Sequence, residues 1–147
     1  MYAVMTRPDI ATSVSICARF LAEPRLVHRT AALRILSYLL HTPNVKLVYR
    51  KDTLPPKLVG YVDASWADDK DTRRSRYGYA VYLGDSIIEW KSKLHPCIVL
   101  STAESEYVAA TEVCKTIVWL RNTLNELQVP QVVPTTIYED NQACIHM

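Results

Sequence analysis

The stretch KLVGYVDASWADDKDTRRSRYGYAVYLGDSIIEWK, residues 57–91, decides the fold. Three runs in it, 57–63, 77–83 and 87–91, are rich in Val, Tyr, Ile and Leu, residue types that suit the pleated, half-buried surface of a sheet. DDKDTRRSR separates the first two runs and is too polar to be anything but a turn; Gly84, Asp85 and Ser86 make a tight turn before the third. Links this short predict an antiparallel meander of three strands. Downstream, residues 101–127 read as one long helix, 135–139 as a fourth strand, and Asn141 onward as the start of a further helix. A helix of that length can cross over the sheet, which lets the fourth strand lie parallel to the first. The fold class is therefore α/β with a mixed sheet.

Upstream of residue 57 the pattern is helical. Ile10, Val14, Cys17 and Leu21 recur at helical spacing within Asp9–Glu23, with Asp9 available as a cap. A second helix begins near Pro24, carries Leu33, Leu36, Leu39 and Leu40, and stops at Pro43, so the two predict a helical hairpin. Val45–Tyr49 alternates as a short strand, and KDTLPP then interrupts the pattern. The expected domains are a helical segment over 1–50, a linker over 51–56 and a sheet domain over 57–147.

The chain has 147 residues, 49% of them hydrophobic, enough for one ordinary core. Seventeen Lys and Arg against 15 Asp and Glu leave a net charge of +2, too small to indicate a nucleic-acid partner by total charge. Cys17, Cys97, Cys114 and Cys144 are too scattered for a zinc site or disulfide framework and read as buried free thiols. The first residues lack a secretory signal, and no uncharged run approaches the ~20 residues that span a membrane. The expected location is the cytosol or nucleus.

Asp63, Glu106 and Asp140 are the candidate metal-binding and catalytic acids. Ser101 and Glu104 form a capping box at the start of the long helix, the glutamate reaching back to the backbone N–H of the cap, which gives Glu104 a structural task. Glu106 instead falls in phase with Ala109, Ala110, Val113, Ile117, Leu120 and Leu124, the apolar stripe. A carboxylate aimed into an apolar interface costs several kcal/mol unless something pairs with it, and no Lys or Arg lies on that stripe. Parallel first and fourth strands bring Asp63 and Asp140 to neighbouring carboxyl ends of the sheet. Hard oxygen donors without Cys or a His pair select Mg²⁺ or Mn²⁺, and two such ions about 4 Å apart can hydrolyse a phosphodiester. Each acid also has a plainer reading. Glu106 can reach the helix edge and be solvated, Asp63 can terminate a strand, and Asp140 can cap the final helix.

Arg73, Arg74 and Arg76, with Lys70, form the densest basic cluster, and Lys91 and Lys93 follow Trp90. They are candidate phosphate contacts, against the alternative of a solvated hairpin turn. Ser101 and Thr102 can read a 2′-OH, although capping explains Ser101 equally well. Trp66 and Trp119 read as core residues, and His28, His41, His95 and His146 receive no catalytic role.

Six blocks in order, TRPDIATSVSICARF, RTAALRILSYLLHT, GYVDASWADDKDTRRSRYGY, EWKSKLHP, LSTAESEYVAATEVCKTIVWLR and IYEDNQACIHM, resemble the end of the polymerase polyprotein of copia-type long-terminal-repeat retrotransposons. The resemblance covers nearly the whole chain. It implies the tail of a reverse transcriptase followed by a ribonuclease H-like domain, which cleaves the RNA strand of an RNA/DNA hybrid. It also implies two Mg²⁺ or Mn²⁺ ions held by Asp63, Glu106 and Asp140, with the hybrid and the rest of the polyprotein as partners. Ser65 stands where related sequences carry another acid. The family fold continues past Met147 with a helix, a fifth strand and a last helix bearing a fourth acid, so an unpaired fourth strand and reduced stability are expected. Met1 falls inside a family block, and the polymerase acids lie upstream of the chain. The rival expectation is a catalytically inactive remnant that at most binds nucleic acid or element proteins.

Overall fold

A computed structural model describes residues 2–50 and 55–147, arranged as two units, Met1–Val48 and Tyr49–Met147. Most of the expected linker, residues 51–54, lies outside the described residues.

In the first unit a 3-10 turn at Pro8–Ile10 leads into α1 (Ala11–Ala18), and α2 runs over Leu26–His41. The first helix is shorter than its apolar spacing predicts. Asp9 does not cap it, because its carboxylate is taken by Arg7 Nη2 at 2.7 Å and by the Tyr38 hydroxyl at 2.8 Å. These bonds hold Asp9 well below the usual carboxylate range, at about 2, with the Arg7 guanidinium the chief cause. Leu21 lies past the end of α1 and is 77% exposed. No residue of α2 is buried; Leu33, Leu36 and Leu40 of the expected stripe are all exposed. Val45–Tyr49 forms no strand ladder, and Val45, Val48 and Tyr49 are exposed. Its alternation has no sheet partner among the described residues.

The second unit is built on four strands, β1 (Leu58–Ser65), β2 (Arg76–Leu83), β3 (Ser86–Leu94) and β4 (Thr136–Tyr138), in the spatial order β3-β2-β1-β4. β1 and β2 pair antiparallel, as do β2 and β3, with a bulge between Val81 and Tyr82. β4 pairs parallel with β1, Tyr61 opposite Tyr138. The crossover between them is α3 (Thr102–Glu126), and α4 (Gln142–Ile145) follows β4. The meander, the crossover helix and the parallel fourth strand are those expected, in a mixed α/β sheet.

Side-chain alternation divides the strands into two faces. Leu58, Val62, Tyr77, Tyr79 and Val81 pack against Ala109, Val113, Ile117, Leu120 and Leu124 of α3. Gly60 permits this closeness, since a Cβ there would lie 3.1 Å from Ile117 Cδ1 and 3.4 Å from Ile137 Cγ1. On the opposite face Tyr61 stacks on Tyr138 with ring centres 5.0 Å apart.

Two expectations for single residues fail. Trp66 and Trp119 are exposed, not core. Trp119 is one residue out of phase with the stripe at Leu120, and Trp66 follows the strand end, where its indole N–H donates to the Val99 carbonyl at 3.1 Å. Among the cysteines, all free, only Cys144 is buried, while Cys97 and Cys114 are exposed. Cys114 follows Val113 on α3 and so misses the buried stripe. No helix among the described residues is long and apolar enough to cross a membrane.

Candidate metal centre

Parallel pairing of Tyr61 with Tyr138 places Asp63 and Asp140, each two residues further on, at the same level beside one another. Glu106 enters from the second turn of α3. One carboxylate oxygen from each of the three lies within 4.8 Å of the other two. Oxygens on opposite sides of one Mg²⁺ are about 4.2 Å apart, so this spacing is close to what a single ion spans.

The plainer readings of these acids meet specific obstacles. Asp63 does not end its strand, since β1 continues to Ser65. Asn141, not Asp140, caps α4, its Oδ1 accepting from the Cys144 N–H at 3.1 Å. Glu106 is not solvated at a helix edge, being only 5% exposed. Its Oε2 is buried and has no hydrogen-bond partner. Burial is the main cause that pushes its carboxyl up to about 7; the charges of Glu139, Asp63 and Asp140 act in the same direction, while a hydrogen bond from the Ala64 backbone opposes them. A buried, orphaned carboxylate oxygen amid other acids is chemically suited to a hard divalent cation, which removes both the repulsion and the vacancy in hydrogen bonding.

The capping residues hold α3 in register. Ser101 Oγ accepts from the Glu104 N–H at 3.1 Å. The Glu104 carboxylate reaches one residue further than a capping box predicts, to the Leu100 N–H at 2.7 Å. Ser101 and Thr102 are both exposed at this helix end.

The candidate phosphate contacts divide into two groups. Arg73 and Arg74 are exposed in the turn between β1 and β2, at the sheet end reached by Asp63, and Lys91 and Lys93 are exposed on β3. Lys91 pairs across to Tyr79, which pairs with Val62, so the β3 lysines lie level with the Asp63 region of β1. Arg76 differs from its neighbours: it is 6% exposed and its Nε donates to Asp68 at 3.1 Å.

Three residues were missed by reading the sequence. Asp69 is buried and organises the β1–β2 turn, accepting from Thr72 Oγ1 and from the Asp71 N–H at 3.2 Å. His95 is fully buried, its Nε2 3.4 Å from Ser105 Oγ and its ring against Tyr77, and burial lowers its pKa. Glu139 follows β4 directly and has a buried Oε2 without a partner. The EDN tripeptide was the available signal for Glu139; no local pattern marks His95.

No protein-family model matches the chain. No solved structure matches it. It is 43% identical over 148 residues to the retrovirus-related Pol polyprotein from transposon TNT 1-94 of Nicotiana tabacum, a match spanning all of this chain and 11% of that protein. It is 38% identical over 147 residues to the corresponding polyprotein from transposon RE1 of Arabidopsis thaliana, covering 99% of this chain and 10% of that protein. A shorter relative is the secreted RxLR effector protein 161 of Plasmopara viticola, 39% identical over 117 residues, 80% of this chain and 82% of that protein. The chain is thus homologous to a segment of retrovirus-related Pol polyproteins of plant transposons and spans about a tenth of the length of the polyproteins it matches.

Proposed function

We propose that residues 57–147 form a ribonuclease H-like domain that hydrolyses the RNA strand of RNA/DNA hybrids with two Mg²⁺ or Mn²⁺ ions. The observation that carries this reading is the meeting of Asp63, Glu106 and Asp140 within 4.8 Å, one of them buried with an unpartnered Oε2. The sheet order, the crossover helix and kinship to transposon polyproteins support it.

In this reading Asp63, Glu106 and Asp140 would hold the cations. When bound, the ions supply positive charge that activates a water and stabilises the leaving oxygen. Capping fixes the first turns of α3 and thereby keeps Glu106 close to the two aspartates. Arg73, Arg74, Lys91 and Lys93 bind backbone phosphates from the same end of the sheet. Arg76 positions the turn through Asp68 and contributes to phosphate binding only through the local field. In the same reading the Ser101 and Thr102 hydroxyls, exposed at the start of α3, would read a ribose 2′-OH, the group that separates RNA from DNA.

The test is cleavage of an end-labelled RNA/DNA hybrid by the chain in Mg²⁺ or Mn²⁺, alongside Asp63→Asn, Glu106→Gln and Asp140→Asn. Each substitution is expected to lower the rate by at least about 100-fold, the scale of losing a principal source of electrostatic stabilisation. Undiminished cleavage in all three variants sinks the site. Salt-dependent hybrid binding with no cleavage in either metal favours an inactive, nucleic-acid-binding remnant instead.

A further inference from the structure

Met1–Val48 carries an apolar cleft in which the acidic centre takes no part. Val14, Cys17 and Ala18 line it from α1, and Ala32, Ile35 and Leu36 from α2, around about 450 Å³ of open space. The Phe20 ring, stacked on His28 with centres 3.9 Å apart, lies at the end where the chain passes from one helix to the next. Leu33, Leu36 and Leu40 follow one another at helical spacing and are all exposed, so the apolar surface continues along α2 beyond the cleft. In a unit whose described buried apolar residues are only Ile10 and Ala11, exposed apolar surface of this extent marks a place where another molecule is received. The lining offers few hydrogen-bonding groups. His28 and Arg29 are its polar side chains, and the His28 Nδ1 already accepts from the Arg25 N–H at 3.1 Å. An extended peptide there would leave backbone N–H and C=O groups without partners, whereas a helix satisfies them internally. The charge around the cleft is predominantly positive. Arg29 is exposed on its wall, Arg25 is exposed at the start of α2, and the Arg19 guanidinium lies 5.2 Å from the Phe20 ring centre. Residues 1–48 hold Arg7, Arg19, Arg25, Arg29, Arg34 and Lys46 against Asp9 and Glu23, and Asp9 is engaged by Arg7.

We propose that this cleft docks an acidic amphipathic helix of a partner protein, its apolar side chains seated between α1 and α2 and its carboxylates beside Arg25 and Arg29. A helix of about four turns matches the 16 residues of α2. A phosphate backbone would meet the arginines but leave the apolar lining uncovered, and a helix flanked by lysines would be repelled by them. The proposal is independent of the metal reading, since every residue it uses lies within Met1–Val48.

The experiment follows the fluorescence anisotropy of a labelled peptide of about four helical turns, with Leu at i, i+3, i+4 and i+7 and Glu on the flanks, titrated with the full chain. A second peptide carries Lys in place of every Glu. The chain is compared with Arg29→Glu and Leu36→Glu, both at exposed positions, and circular dichroism checks the helical content of each. The expected result is saturable binding of the acidic peptide that weakens with added salt, and a loss of affinity of at least about 10-fold in each variant. The lysine peptide should bind R29E more tightly than it binds the unsubstituted chain. No binding of the acidic peptide overturns the proposal, as does equal affinity in the unsubstituted chain and both variants. Equal binding of the two peptides by the unsubstituted chain overturns the acidic character of the partner. If vesicles containing phosphatidylserine, or an RNA/DNA hybrid, bind in place of the peptide with the same dependence on Arg29 and Leu36, the face is a lipid or nucleic-acid surface and the helix reading falls.

Discussion

Glu106 is held where its own charge is disfavoured. Its carboxyl is raised from the ordinary 4.5 to about 7, burial being the main cause and the neighbouring acids adding to it. Between those two values the folded chain keeps a proton that the unfolded chain has already released. The stabilisation from that proton is complete below about 4.5 and is lost as the pH rises through about 7. In EDTA, the thermal midpoint of the unsubstituted chain is therefore expected to fall between about pH 5 and about pH 8 relative to Glu106→Gln, which has nothing to titrate there. Added Mn²⁺ takes the place of the proton and should remove most of that difference at the higher pH. Parallel curves for the two proteins in EDTA would show that Glu106 is not desolvated as described. The same residue illustrates what sequence alone can identify. Phase with Ala109, Val113 and Ile117 separates Glu106 from Glu104 without any structure. Glu139 escaped because tertiary packing, which the local sequence does not show, buries its partnerless Oε2.

The contact of α3 with β1 depends on an absent side chain. Gly60 leaves room for Ile117 and Val113, which would lie 3.1 and 3.6 Å from a Cβ at that position. Gly60→Val is expected to destabilise the chain by about 1–3 kcal/mol by overpacking, measured by urea denaturation. Ile117→Ala alone costs about 2–5 kcal/mol by opening a cavity. Combined, the valine fills part of that cavity, so the double variant should be less destabilised than the sum by about 0.5–3 kcal/mol. Additive costs would mean that the two positions do not meet. The helix that makes this contact was legible, because 25 residues of amphipathic period leave little ambiguity and the buried positions follow the stripe. The meander was legible for a similar reason: turn residues punctuate runs of β-favouring side chains. Expectations failed where a distant partner decided the outcome. Asp9 looks like a helix cap but is claimed by Arg7, two residues before it, and by Tyr38, 29 residues away. Val45–Tyr49 alternates like a strand, yet a strand needs a neighbour that local sequence does not provide. Trp119 has the size of a core residue and the helical phase of a surface one, and phase prevails.

At the scale of the molecule, the two units differ in what holds them together. Every residue of the acidic centre and of the main hydrophobic cluster lies within Tyr49–Met147. In Met1–Val48 the described buried apolar residues are Ile10 and Ala11, and α2 has none. Segments of about 40 residues rarely fold alone without disulfides, metals or a partner, because too little surface leaves water. A chain beginning at Tyr49 should thus retain a cooperative thermal transition in EDTA and the Mn²⁺ affinity of the full chain. The isolated 1–48 segment should instead show partial helical circular dichroism that declines gradually on heating, with no sigmoidal transition, since helices of this length are marginal without tertiary burial. The comparison separates two sources of order. Single hydrogen bonds such as those of Arg7 and Tyr38 with Asp9 can bias helical conformations, whereas cooperativity requires a shared apolar interior like that between α3 and the sheet. Loss of the transition or of Mn²⁺ binding in the chain from Tyr49 would mean that the first 48 residues supply part of the structure on which the acidic centre stands.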